Sequence, residues 1–122
     1  MRKTLLRVVS ASALSAVLGA TSLVSAPVVY AADSVEKGRS VAFDRKKGNC
    51  LACHMIQGGS LPGNIGPPLS AMKARFPDKA MLRAQIWDAT VKNPNSLMPP
   101  FGKHAVLSEG EIDLIVEFVH SL

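Results

Sequence analysis

Aromatic residues and cysteines are scarce in this chain. Its 122 residues include one Trp, one Tyr, four Phe and two Cys. Two cysteines cannot build the multiple disulfides that stabilise many small secreted domains. Basic residues are nowhere interleaved with aromatics, so nucleic-acid binding has no support. Because small domains bury a limited share of their surface, a large apolar group bound by the chain would supply much of the missing core.

The first 31 residues have the pattern of a cleaved secretory signal peptide. Three basic residues, Arg2, Lys3 and Arg7, precede a stretch rich in Ala, Val, Leu and Ser. Val29-Tyr30-Ala31 then places small side chains at the −3 and −1 positions of a cleavage site. The alternative is an uncleaved membrane anchor, since the stretch is nearly long enough to span a bilayer.

Removing this leader changes the charge of the chain. It holds three of the 14 basic residues and none of the nine acidic ones, so the remaining domain, residues 32–122, carries a net charge of +2 rather than +5. The high pI of the whole chain is therefore largely a property of the leader. Residues 32–122 are enough for one small domain.

Both cysteines of the chain lie in one motif, Cys50-Leu51-Ala52-Cys53-His54. The spacing C-x-x-C-H is typical of covalent haem attachment. On a short helical turn, the two thiols can each add to one vinyl group of the same porphyrin, and the adjacent histidine can ligate the iron. We therefore expect one covalent haem c, with thioethers at Cys50 and Cys53 and His54 as axial ligand.

Two other interpretations of the motif are weaker. A dithiol redox pair usually lies beside a βαβ pattern, which this sequence lacks. A zinc site would need two further ligands, and the remaining histidines, His104 and His120, do not have the usual paired spacing. Export of the chain agrees with haem, because covalent haem attachment occurs outside the cytoplasm.

The pattern after the leader predicts an all-α domain. Asp33 and Glu36 offer a possible capping pair for a first helix, in which Gly38 would permit close helix approach. Asn49 can cap the haem-binding turn. Leu69, Met72 and Phe76 predict a short helix, and Pro77 opens another that runs to about Thr90. Ser108 and Glu111 form a capping box before a last helix with an apolar stripe, Ile112, Ile115, Val116 and Val119.

Met98 is the candidate for the second iron ligand. It lies in a loop just before the last helix, and the two prolines that follow it restrict the backbone. A neutral thioether stabilises Fe(II) relative to Fe(III), so ligation by His54 and Met98 would raise the reduction potential. Met72 and Met81 have helical spacing with apolar neighbours and are interpreted as core. His104, near the same loop, is the competitor of Met98.

Iron-bound histidines usually donate their other ring N–H to a fixed acceptor. The Gly66-Pro67-Pro68-Leu69 turn is the natural source of that acceptor for His54. We expect the carbonyl of Pro67 to fill this role. The alternative interpretation of the segment is an ordinary turn.

Four blocks of the sequence together resemble the SoxX family, a group of small cytochromes with the class I cytochrome c fold. The blocks are Gly48 to His54, Gly63 to Leu69, Gln85 to Thr90 and Met98 to His104. The haem motif alone is generic, whereas the combination of blocks is much more specific. The resemblance implies four to five helices around one haem and carries the family's ligands over to His54 and Met98.

The resemblance also implies a partner and a place of action. SoxX is the monohaem subunit of the periplasmic SoxAX complex, an L-cysteine S-thiosulfotransferase that couples thiosulfate to the carrier SoxYZ. SoxX is thought to take the electrons released at SoxA and pass them to a small cytochrome c. The resemblance therefore predicts a periplasmic electron-transfer subunit paired with SoxA.

No catalytic residue is expected on this chain alone. Haem would consume both cysteines, and Met98 would close the remaining position on the iron. The main alternative function is a free, soluble cytochrome c shuttle. Such shuttles often carry lysines that steer them to acidic partners, whereas this chain has only Arg45-Lys46-Lys47 as a tight basic cluster.

Overall fold

The structure is a computed structural model that describes residues 27–122, with side chains from Ala31 onward. It contains four α-helices and two short 3-10 turns. The helices are α1 (Pro27–Phe43), α2 (Met72–Arg75), α3 (Lys79–Trp87) and α4 (Glu109–His120), and the turns are Cys50–Ala52 and Ala89–Val91. The described residues form no strand, only an isolated bridge between Ile56 and Leu69. The predicted all-α class is confirmed.

The packing of α1 on α4 is the main helix contact of the domain. A Cβ added at Gly38 would lie only 1.9 Å from the carbonyl oxygen of Leu114, so glycine is required for this approach. Near the end of α1, the rings of Phe43 and Phe118 meet edge to face with centroids 5.7 Å apart. The role expected for Gly38 is confirmed.

Helix α4 supplies the centre of the core. All four residues of its predicted apolar stripe are buried, and Ile112 is 0% exposed. The capping box at its start is present: the Ser108 hydroxyl accepts from the Glu111 amide, and the Glu111 carboxylate accepts from the Ser108 amide. Met72 of α2 is buried as well, so its interpretation as a core residue is confirmed. The same interpretation of Met81 was wrong, because its side chain lies on the solvent side of α3 and is 48% exposed.

The first helix begins earlier than predicted. Asp33 and Glu36 do not cap it, because α1 already begins at Pro27, and proline is favoured in the first turn of a helix. The Asp33 carboxylate instead lies 2.6 Å from the ammonium of Lys37, one turn further on. The predicted leader, residues 1–31, lies almost entirely outside the described residues and stays a prediction.

Two smaller predictions about helix ends were wrong. Helix α3 stops at Trp87 rather than near Thr90, because Asp88 adopts an extended conformation and its side chain caps the following 3-10 turn. Asn49 makes no side-chain cap for the turn at Cys50; it adopts the left-handed conformation, which asparagine tolerates well.

The helices leave two long loops whose positions matter for the site. We call residues 55–68 the His54-side loop and residues 93–102 the Met98 loop. Both connect elements that pack on α4 or on its neighbours. No helix within residues 27–122 combines the length and the apolar character that crossing a bilayer requires.

Candidate haem site

The Cys50–Ala52 turn brings the motif residues onto one short stretch of backbone. The amides of Cys53 and His54 both donate to the carbonyl of Cys50, at 3.2 and 2.9 Å. The turn follows the end of α1 closely, since the Gly48 amide donates to the carbonyl of Val41. The three functional side chains of the motif therefore begin within a single turn that is fixed to a helix.

Neither cysteine is disulfide-bonded, and both thiols are half-buried. Burial raises the pKa of the Cys50 thiol to about 11. The Cys50 thiol is therefore protonated at neutral pH in the protein without its haem. A protonated, half-buried thiol is a poor partner for spontaneous chemistry, because the thiolate is the reactive form.

The imidazole of His54 has a fixed orientation. Its Nδ1 lies 2.7 Å from the carbonyl oxygen of Pro67. Because a carbonyl can only accept, Nδ1 carries the proton, and in the neutral ring the lone pair is on Nε2. Nε2 is thus the atom of His54 that is available to ligate iron.

Gly66 brings the backbone of the His54-side loop against the His54 ring. A Cβ at this position would lie 2.4 Å from Cε1 and 2.6 Å from Nδ1 of the imidazole. The Gly66 amide donates to the carbonyl of Cys53 at 2.8 Å, and the Gly63 amide donates to that of Leu51 at 2.7 Å. These two hydrogen bonds hold the His54-side loop against the haem motif, with Gly66 next to the His54 ring.

Large apolar side chains project from both loops. Leu61 is 97% exposed, Leu97 80% and Ile65 64%. Apolar exposure of this extent on two loops is typical of a surface that binds an apolar group. Two thiols, an oriented imidazole and apolar loops fit a covalent haem, whose edges and faces need these contacts.

The loop that carries Met98 is fixed at both of its ends. Met98 is half-buried and packs against the core, and its amide donates to the Ser96 hydroxyl at 3.2 Å. Towards the start of the loop, the Asn93 amide donates to the carbonyl of Ala89. Towards its end, the Gly102 amide donates to the carbonyl of Trp87 at 3.1 Å.

The other two histidines are placed differently. His104 is exposed and lies beyond Gly102, the end of the Met98 loop, in a tight turn in which its amide donates to Pro100. His120 lies at the end of α4, with Nε2 3.2 Å from the carbonyl oxygen of Phe76. Among the described side chains, no three from His, Cys, Asp and Glu form a group that could hold a metal ion.

The residues that fix the Met98 loop were not predicted from the sequence. Trp87 and Asp88 at the end of α3 contact Gly102 and Lys103 at the end of the loop, through backbone bonds to Trp87 and an ion pair of 2.9 Å between Asp88 and Lys103. All four residues fall inside the blocks that carry the family resemblance, which marks the residues but not the contacts between them.

The predicted basic cluster is partly neutralised. The Lys47 ammonium lies 2.6 Å from the Glu111 carboxylate. Lys47, together with the capping bonds from Ser108, lowers the pKa of Glu111 to about 2. Other basic residues are paired in the same manner, Lys79 with Glu117 and Arg83 with Glu109 and Asp113.

Comparison with known proteins finds a family model, a related protein and a solved structure that are similar to this chain. A family model described as cytochrome C oxidase, cbb3-type, subunit III, matches residues 34–119. An "uncharacterized lipoprotein" of Aquifex aeolicus (strain VF5) is 38% identical over 76 residues, which is 62% of this chain and 37% of that protein. The chain thus spans little more than a third of this relative's length.

The third match is a solved structure, the crystal structure of SoxXA from P. pantotrophus. It superposes with a TM-score of 0.64 at 25% sequence identity, and the match covers 71% of this chain and 80% of that chain. The resemblance noted from the sequence blocks therefore extends to the fold.

Proposed function

The chain belongs to the cytochrome c family whose model is described as subunit III of cbb3-type cytochrome c oxidase, and on that basis we propose that it is the single-haem electron-transfer subunit of a SoxAX complex. Membership of this family makes it a haem protein of electron transfer. We propose in addition that His54 and Met98 ligate the iron, that SoxA is the partner and that the chain acts in the periplasm.

The observation that best supports electron transfer is the fixed orientation of the His54 imidazole. Cys50 and Cys53 would hold the haem covalently, and Nε2 of His54 and the sulfur of Met98 would ligate its iron. Such a haem supplies a one-electron Fe(III)/Fe(II) couple. The Pro67 carbonyl, 2.7 Å from Nδ1 of His54, would hold the proton on Nδ1 and fix the orientation of the ring, with Nε2 directed to the iron.

The chain has no group left for substrate chemistry. With both thiols bound to haem, none is free for sulfur transfer, and with Met98 on the iron no position is open for a small molecule. The coupling of thiosulfate to a SoxYZ carrier would therefore take place on SoxA. This chain would take up the released electrons and pass them to a small cytochrome c.

The likeness to the SoxXA structure supports SoxA as the partner. The charge pattern agrees, because Lys47, Lys79, Arg83 and Lys103 are each paired with a carboxylate of the same chain. A free shuttle steered by lysines would need these charges unpaired. Cleavage after Ala31 and a periplasmic location complete the proposal.

The ligand set is tested on the full chain produced in a host that attaches haem c. Reduction should give a sharp α-band, and the oxidised protein should show the weak thioether-to-iron band at the red end of the spectrum. Met98→Ala should abolish the weak band and keep the α-band. An unchanged spectrum in this variant would move the ligand to His104.

The partner is tested by co-production with SoxA. We expect one complex in gel filtration, with this chain reduced when thiosulfate and a SoxYZ carrier are added. A monomer that never associates with SoxA, but still exchanges electrons with a small cytochrome c, would favour the free shuttle. Mass spectrometry of the exported chain should show Ala32 as its first residue.

A further inference from the structure

The Met98 loop contains no helix or strand, yet both of its ends return to the same place. The amide of Asn93 donates to the carbonyl of Ala89, and that of Gly102 donates to the carbonyl of Trp87. The two acceptors are only two residues apart, at and just after the end of α3. The position of Met98 in the middle of the loop therefore depends on how firmly these ends are held. A loop with fixed ends and no internal element opens most readily where an end is released.

The end at Gly102 is built on the Trp87 ring. A Cβ at Gly102 would lie 2.1 Å from Cε3 of the indole, so the backbone is in contact with the ring. The amide of Lys103 adds a second bond to the carbonyl of Trp87, at 3.3 Å. The guanidinium of Arg83 lies over the same ring, 5.3 Å from its centroid, and is itself bonded to Asp113.

Asp88 adds an ion pair at this end. Among the described residues it is the one charged residue that is buried, at 7% exposure. One carboxylate oxygen accepts from the amide and the hydroxyl of Thr90, and the other lies 2.9 Å from the ammonium of Lys103. A buried carboxylate must be partnered, so loss of Lys103 would leave half of it without a partner.

We propose that Asp88 is a positioning residue for Met98, because its ion pair with Lys103 clamps the end of the Met98 loop and controls how readily the thioether leaves the iron. The inference rests on the proposed ligation by Met98. Asp88 touches neither the haem nor the ligand. It acts through Lys103, Gly102 and the backbone between them.

A merely structural role for Asp88 would lie in its cap of the Ala89–Val91 turn. Asn is also a good cap, so Asp88→Asn keeps the bond from the Thr90 amide and removes the charge that attracts Lys103. Lys103→Gln removes the same ion pair from the other side. Lys103 is about half exposed, so this second variant leaves the core untouched.

The experiment is an imidazole titration of the oxidised, haem-loaded full chain, followed by the loss of the thioether-to-iron band. Imidazole binds only when Met98 leaves, so its apparent affinity reports the opening of the loop. We expect about three- to tenfold tighter imidazole binding in Asp88→Asn and in Lys103→Gln, because a charge-assisted hydrogen bond is lost at a partly buried site. The double variant should bind imidazole no more tightly than the tighter single variant.

The matched control is Lys79→Gln, which breaks the 2.6 Å ion pair with Glu117 between α3 and α4 without touching the loop. Its imidazole affinity should equal that of the unmodified protein. If Asp88→Asn does not fold, Lys103→Gln decides the matter. Unchanged affinity in Lys103→Gln overturns the clamp alone, whereas an unmodified protein without the thioether band overturns Met98 ligation and the clamp together.

Discussion

His54 takes its hydrogen-bond partner from Pro67, thirteen residues further along the chain in the loop that follows it, whereas the loop of Met98 is held by side chains and carbonyls at the end of α3. On the His54 side, backbone bonds join Gly63 to Leu51 and Gly66 to Cys53, all within one segment of chain. On the Met98 side, the contacts that matter come from Trp87 and Asp88, outside the loop.

This difference predicts how the two candidate ligands respond to damage. A ligand fixed by its own segment keeps its orientation as long as that segment is folded. A ligand on a loop whose backbone is tied to the rest of the fold mainly at its ends can detach while the rest of the protein stays folded, because local opening needs few contacts to break. We therefore expect variants on the His54 side to prevent haem loading, and variants on the Met98 side to change ligation in a loaded protein.

The largest effect is expected for Gly66→Ala. The new Cβ would lie 2.4 Å from Cε1 of His54, and the ring would have to move away from Pro67 to make room. We expect most of the chain to be recovered without covalent haem, as measured by haem absorbance per protein. Gly110→Ala is the matched control, since nothing lies within 4 Å of a Cβ there. A normal yield of haem in Gly66→Ala would show that the His54 side is more adaptable than its contacts indicate.

Gly102→Ala is expected to act on the other side alone. Its Cβ would lie 2.1 Å from Cε3 of Trp87, which forces the end of the loop off the ring. We expect normal covalent loading, an intact α-band and loss of most of the thioether-to-iron band. Trp87→Leu in the same chain should restore part of the weak band by making room. Retention of the full band in the single variant would contradict the dependence of Met98 on this contact.

The same contrast explains what the sequence could predict. C-x-x-C-H is a local pattern with one dominant chemical use, and capping boxes and apolar stripes are local too, so the haem motif and α4 were recognised from neighbouring residues. The expected Pro67 acceptor also lay close by in the chain. Met98 could be singled out by its prolines, but the contacts that fix its loop could not.

The errors have a physical cause in common. The ion pair of Asp88 with Lys103 and the contact of Gly102 with Trp87 join residues that no spacing rule connects. Asp88 also ended α3 early, because its extended backbone and its capping side chain serve the next turn. Within α1, the sequence around Asp33 fits a helix cap and an ion pair with Lys37 equally well, and only the true start of the helix at Pro27 distinguishes them.

A smaller effect, common to both sides, is expected for Gly38→Ala. A Cβ at Gly38 would lie 1.9 Å from a backbone oxygen of α4, so α1 and α4 must move apart. Over-packing of this kind costs about 1–3 kcal/mol, measured as the free energy of unfolding by denaturant. Gly110→Ala should instead be neutral or stabilise by up to about 1 kcal/mol, since alanine favours the helix. Equal stabilities for the two variants would contradict the close contact of the helices.

The smallest effect is expected on stability at low pH, through the ion pair of Lys47 with Glu111 that joins the segment before Cys50 to α4. Lys47 and Ser108 lower the pKa of Glu111 to about 2, from an ordinary value of 4.5. The folded state therefore holds the ionised form more strongly than the unfolded state does. Its stabilising contribution is fully present above pH 4.5 and is lost as the pH falls towards 2.

Glu111→Gln should accordingly have a lower Tm than the unmodified protein at pH 7, and the two Tm curves should converge as the pH falls from about 4.5 to about 2. Both proteins share any acid sensitivity of the haem ligands, so this contribution cancels when one Tm curve is subtracted from the other. Lys47→Gln should show part of the same convergence, because the Ser108 bonds to Glu111 remain. Parallel curves for Glu111→Gln and the unmodified protein would contradict the lowered pKa of Glu111 and the tie between Lys47 and α4 that it reports.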